Sequence, residues 1–171
     1  NFMKLHIGGW VAKEGWKILN IQKTDYVDFV GDISDLSQFK ENSINEIYAS
    51  HVFEHIKYID AKETLLGIHR VLAQGGKFYI SVPDMEILFK QFLEKKNESK
   101  TKIHIIRMIF GGQKDEYDFH YFGWDFELLS GLLKNVGFKK VEKVRSFSLF
   151  DDSSNLAPYG EPISLNLIAE K

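Results

Sequence analysis

MKLHIGGWVAKEGWKILNIQKTDYVDFVGDIS, residues 3–34, holds three short apolar runs separated by glycines and polar turns. Met3 to Ile7 reads as a strand ending at Gly8-Gly9, Lys17 to Ile21 as a second strand and Val27 to Val30 as a third. Each run has the length of a strand rather than a helix. Glycine just past the first run lets the backbone turn tightly or approach a bound group, because no Cβ intervenes.

Working outward, turn chemistry at Lys40 to Ser43 precedes a fourth strand, Glu46 to Ala49. Ala61, Leu65, Ile68 and Leu72 recur at helical spacing, Gly75-Gly76 follow as a helix stop, and Lys77 to Val82 forms a fifth strand. Asp84 is the expected N-cap of a helix carrying Met85, Leu88, Phe89, Phe92 and Leu93, which fades over Glu94 to Lys102. A shorter helical pattern (Ile103, Ile106, Phe110) stops at Gly111-Gly112, and Tyr117 to Trp124 has no clean period and reads as a loop. Asp125 caps a helix through Val136, with Trp124 and Leu129 as its hydrophobic staple and Gly137 as its stop; Lys139 to Arg145 and Ser164 to Ala169 are the closing strands. The alternation predicts one α/β domain over 1–171: a mainly parallel seven-stranded sheet, helices between its first five strands and on both faces, and an antiparallel edge hairpin at the C-terminal end.

A chain of 171 residues, 44% hydrophobic and 27% charged, has the make-up of one globular domain. Lys plus Arg (22) nearly balances Asp plus Glu (24), which argues against a nucleic-acid partner or an anionic membrane and for a small molecule. The absence of cysteine excludes a disulfide scaffold and thiolate metal sites, and fits a reducing compartment. No apolar run approaches the ~20 residues that span a bilayer, and the N-terminus lacks signal-peptide character, so a cytoplasmic protein with no membrane association is expected. Homo-oligomerisation stays open.

In an open parallel sheet the ligand binds beyond the carboxyl ends of the strands, where strand order reverses. That selects His6 to Trp10, Asn20 to Gln22, Gly31 to Ser34, Ser50 to His55 and Pro83-Asp84. Gly8-Gly9 can serve a ligand or simply make a turn. Asp32 with Ile33 offers a carboxylate acceptor beside an apolar wall, which suits an adenine; the plainer reading is that Asp32 or Asp35 caps a turn entering Leu36.

The blocks Lys4-Leu5-His6-Ile7-Gly8-Gly9, Gly15-Trp16, Asn20-Ile21-Gln22, Val30-Gly31-Asp32, Ile47-Tyr48-Ala49-Ser50-His51 and Glu54-His55, taken in order, resemble the class I S-adenosylmethionine-dependent methyltransferases, in a degenerate branch of small-molecule or glycan type. Leu72 to Lys77 and Leu133 to Phe138 are similar to later blocks of the same superfamily. The resemblance implies a Rossmann-like, doubly wound fold and S-adenosylmethionine as cofactor, with S-adenosylhomocysteine as product. It also implies methyl transfer to an oxygen or nitrogen of a small-molecule or sugar acceptor. By position it puts Gly8, Gly9 and Trp10 at the methionine part, Gln22 at the ribose, Asp32 and Ile33 at the adenine, and Ser50 and His51 at the sulfonium end. Trp10 stands where the family usually has a further glycine, and Gln22 where it usually has an acid; an amide is a weaker acceptor than a carboxylate. Relatives often carry a helix ahead of strand one that covers the cofactor, a role left here to the aromatic loop, a partner subunit or nothing.

Direct displacement needs alignment more than acid–base chemistry. Should a base be needed, His120 and His55 are the candidates, since imidazole titrates near neutrality; the plainer reading is a core or surface histidine. The loop Tyr117 to Trp124 either packs under the last strands or roofs the acceptor pocket and presents His120 to it. Two alternatives remain. One is a non-catalytic cofactor-binding module of the same fold. The other is a zinc peptidase, since His51-Val52-Phe53-Glu54-His55 spells H-x-x-E-H. That motif belongs within a long helix, whereas here it follows a strand, so no metal is expected.

Overall fold

The computed structural model describes residues 3–171. Its strands are β1 (Met3–Ile7), β2 (Trp16–Asn20), β3 (Phe29–Val30), β4 (Ile44–Ser50), β5 (Leu72–Pro83), β6 (Lys140–Val144) and β7 (Ser164–Glu170). Its α-helices are α1 (Tyr58–Val71), α2 (Met85–Leu93), α3 (Ser99–Phe110) and α4 (Phe126–Asn135). The strands form one seven-stranded sheet in the order β3-β2-β1-β4-β5-β7-β6. Pairings among β1 to β5 are parallel, and β7 runs antiparallel to both β5 and β6. The expected sheet, with its antiparallel C-terminal pair, is therefore present.

Alternation along the strands sorts side chains onto two faces. On one, Leu5, Ile47, Phe78 and Ala169 stand in register across four strands, as do Ile7, Ala49, Ile80 and Leu167. Both rows belong to the main core, which Ala61, Leu65 and Ile68 of α1, Leu129 and Leu133 of α4, and Val136 at the C-cap of α4 complete. The opposite face carries His6, Tyr48 and Tyr79, and no α-helix supplies its aromatic cover. Phe147 and Phe150 of the β6–β7 connection pack there, with ring centroids 5.6 and 4.5 Å from that of Tyr48.

Helices between all of the first five strands are not found: of those four connections only β4–β5 holds an α-helix. Segment 8–15 carries three glycines, and neither it nor 21–28 repeats apolar residues at helical spacing, so irregular chain makes the crossovers. Gly75-Gly76 do not stop a helix either. They lie inside β5, where the pairing with β4 shifts register between Ile44↔Leu72 and Glu46↔Lys77. The polar stretch before Ile103 contributes the first turn of α3, because Ile105 buries against Met85, Leu88 and Ile163 in a second, smaller core.

The caps are as the residue types dictate. Asp84 accepts from the Glu86 amide at 3.1 Å and Asp125 from the Leu128 amide at 2.8 Å. No helix among the described residues is long and apolar enough to cross a membrane.

Candidate active site

Strand order reverses between β1 and β4, and the chain segments leaving β1, β2, β3 and β4 converge at that end of the sheet. Asn20, buried at the tip of β2, ties three of them together. Its side-chain amide donates to the Gly9 carbonyl at 3.0 Å, its side-chain oxygen accepts from the Gln22 amide at 3.0 Å, and its main-chain carbonyl accepts from the Gly31 amide at 3.0 Å. Sequence reasoning selected the stretch Asn20 to Gln22 but gave a role only to Gln22; the signal for Asn20 was a polar residue closing a mainly apolar strand.

Gly8 has a φ of +76°, and a Cβ there would stand 2.6 Å from Val52 Cγ2, so glycine is required both by conformation and by space. Behind it opens a cavity of about 600 Å³. Gly8, Asn20 to Gln22, Gly31 to Ile33 and His51 with Val52 and His55 form its walls, and 114–119 with Tyr121 close its outer side. A second cavity of about 660 Å³ shares Gly8, Trp10, His51 and Val52 with the first and continues along Gly9, Ser50 and 149–153. The candidate residues thus divide: Gly8, Trp10, Gln22, Asp32, Ile33 and His51 border the first cavity, while Gly9 and Ser50 border the second.

Asp32 does make the turn that the plainer reading required, accepting from the Ser34 amide at 2.7 Å and its hydroxyl at 2.6 Å. Both bonds fall on Oδ1, and no bond to Oδ2 is found among the described residues, so that oxygen can accept from a ligand. Ile33 is a core residue, 2% exposed, and so a fixed wall. Trp10 is 57% exposed, which carries its bulk at the rim. Ser50 donates to Asp152 at 3.2 Å and Tyr48 donates to the same carboxylate at 2.8 Å. Burial would raise the Asp152 pKa, but bonds from Ser154, Tyr48 and Ser50 hold it below the usual range.

The aromatic loop is split. Tyr117, Phe119 and Tyr121 line the first cavity, whereas Trp124 is buried and stacks on Phe53 at 5.3 Å between ring centroids. It therefore acts both as cavity wall and as core. His55 reaches the first cavity, but His120 lies behind it, on two neighbouring cavities, so the loop does not present His120 to the site as a lid would. The peptidase arrangement is also absent: His51 has a φ of +53° and precedes a single 3₁₀ turn, Phe53–His55, so His51 and His55 do not share one α-helix.

Comparison with known proteins agrees with this geometry. A family model described as a methyltransferase domain matches residues 12–80. That match covers less than half of the chain, and it makes a methyltransferase domain what this region is similar to. The fold of the chain is similar to that of a SAM-dependent methyltransferase from Archaeoglobus fulgidus, with TM-score 0.61, 15% identity and coverage of 99% of this chain and 86% of the other. The CurJ carbon methyltransferase gives 0.58 at 14% identity, over 99% of this chain and 48% of the other. A phosphoethanolamine N-methyltransferase from Haemonchus contortus, solved with S-adenosyl-L-methionine, gives 0.56 at 14% identity, over 99% and 48%. The chain thus spans about half the length of the last two. No curated protein matches it by sequence.

Proposed function

We propose that this protein is a methyltransferase that moves the methyl group of S-adenosylmethionine to an oxygen or nitrogen of a small-molecule or sugar acceptor. The observation that carries the reading is the cavity at the reversal of strand order, with Gly8 at its floor and Asp32 at its far wall. The residues present fit the cofactor. Its volume lies within the roughly 300–1,000 Å³ of small-molecule sites, Gly8 leaves main chain bare, and Asp32 Oδ2 is open to a donor. Gln22, exposed beside Asn20, supplies an amide for a hydroxyl pair.

When bound, S-adenosylmethionine supplies a methyl carbon already activated by a positive sulfur. The protein's part is to hold the acceptor in line behind that carbon. The acceptor would take the methyl group in exchange for a proton, with S-adenosylhomocysteine as the other product. Tyr117, Phe119 and Tyr121, more than a third exposed on the outer wall, offer ring faces suited to a sugar or a planar acceptor. His51 and His55 line the inner wall of the same cavity.

Calorimetry with S-adenosylmethionine and S-adenosylhomocysteine tests the binding step. Asp32→Ala should weaken it by about 1–3 kcal/mol, the range for losing one hydrogen-bond partner, with little change in melting temperature, since Asp32 is exposed. An unchanged affinity in that variant returns Asp32 to the turn alone. Gly8→Ala should weaken binding more than Gly15→Ala. Both positions have positive φ, +76° and +80°, but a Cβ at Gly15 meets nothing within 4 Å. Equal losses would show that backbone strain, and not closeness to the ligand, is what Gly8 serves. Binding without turnover over a panel of hydroxyl and amine acceptors would favour the non-catalytic module.

A further inference from the structure

Glu54 is the most unusual charged group in the molecule. It is 1% exposed, and neither carboxylate oxygen has a hydrogen-bond partner among the described residues. Three imidazoles surround it instead: His51 Nδ1 lies 3.3 Å and His120 Nε2 4.0 Å from Oε1, and one ligand atom each of Glu54, His55 and His120 fall within 4.8 Å of one another.

The protons of those rings can be assigned. His55 Nδ1 lies 2.9 Å from the Phe119 carbonyl and His120 Nδ1 3.0 Å from the Met108 carbonyl. A carbonyl only accepts, so both rings carry their proton on Nδ1 and keep a lone pair on Nε2. The Ser164 hydroxyl donates to the Ser153 carbonyl at 2.9 Å, so it must accept from His51 Nε2, 2.7 Å away. That leaves His51 Nδ1 with its lone pair toward Glu54. In the neutral state three lone pairs and a carboxylate thus converge on one buried point, an arrangement that repels itself unless a cation fills it.

We propose that Glu54, His55 and His120, with His51 Nδ1 as the fourth donor, bind one divalent transition-metal ion of the zinc type. Three imidazoles and one carboxylate suit zinc or cobalt and not magnesium or calcium, which take oxygen ligands. Backbone carbonyls and a serine holding the far nitrogen of each ring are what metal-bound histidines require. Tetrahedral donors at zinc distances sit about 3.4 Å apart, so ring rotations of roughly 1 Å close the set. The ion would join the turn after β4 to the aromatic loop, which the Tyr121 amide already ties to the Glu54 carbonyl at 2.9 Å.

The test is titration of chelator-treated, full-length protein with Co²⁺, read by visible absorption and calorimetry, then displacement by Zn²⁺. One equivalent should bind with the intense spectrum of a tetrahedral site. His55→Ala and His120→Ala should each weaken binding by more than the roughly 10–100-fold that loss of an outer partner costs. His104→Ala, outside the cluster, should leave it unchanged. Glu54→Gln, which keeps the shape, should also lose the spectrum, and serves if either alanine variant fails to fold. Weak binding that all variants share overturns the site, as does a ¹⁵N spectrum showing His51 doubly protonated in the presence of excess Zn²⁺. Because none of these readouts involves S-adenosylmethionine, a failure of cofactor binding leaves this result standing, and the reverse.

Discussion

Trp124→Ala is expected to remove about 3–5 kcal/mol of stability, the range for truncating a fully buried large aromatic residue. The indole is 2% exposed, stacks on Phe53 and meets Phe122 edge-on at 4.7 Å between ring centroids. Its Nε1 makes no hydrogen bond among the described residues, so the loss is one of packing alone. Trp124→Phe should therefore cost well under half as much. Since native domains hold only about 5–15 kcal/mol in reserve, the alanine variant should melt far below the parent in urea or heat. It should also bind S-adenosylmethionine more weakly, because Trp124 anchors the segment whose Tyr117, Phe119 and Tyr121 wall the cavity. A loss below about 1 kcal/mol would mean that Phe53 and Phe122 collapse onto the space, and that the wall is held from elsewhere.

The second large effect is acid lability from His6. Burial under Phe150, whose ring centroid is 4.2 Å away, lowers its pKa from 6.5 to about 4; Asp152 opposes this and Lys13 adds to it. The folded state therefore resists a proton that the unfolded chain accepts. The contribution is fully present above pH 6.5, is lost progressively as pH falls toward 4, and stays lost below that. The total is about 3 kcal/mol. Denaturant titrations at neutral pH and near pH 4 measure it, and His6→Leu should remove most of the difference between them. Carboxylates with depressed pKa values, Asp28 and Asp152, lose their stabilisation in a lower window, below their ordinary values near 4. Should the leucine variant show the same fall between pH 6.5 and 4, burial of His6 is not its source.

Much of this was readable from local pattern. Strand β1, the caps Asp84 and Asp125, and the loop nature of Tyr117 to Trp124 follow from residue type and period, and the site follows from glycines at the strand ends. What was not readable depends on contacts made at long range. Strand β3 shrinks to Phe29–Val30 because only Leu19 and Asn20 of β2 are there to pair with it. The cover of the second sheet face comes from Phe147 and Phe150, two aromatics in an irregular stretch with no period to mark them. His120 and Glu54 are far apart in the chain, and nothing in their spacing says that one faces the other. As a metal motif the H-x-x-E-H string was weighed only on a helix, and its three polar residues converge here by a different route, through the left-handed turn at His51.

The place of β7 bears on how the chain can fold as it is made. The last strand in sequence lies inside the sheet, between β5 and β6. Until Ser164–Glu170 have been made, β6 has no strand to pair with and the edge of β5, with its unpaired amide and carbonyl groups, stands open. An open apolar edge of this kind invites pairing with another nascent chain. Insertion of β7 between β5 and β6 covers both edges and removes that hazard.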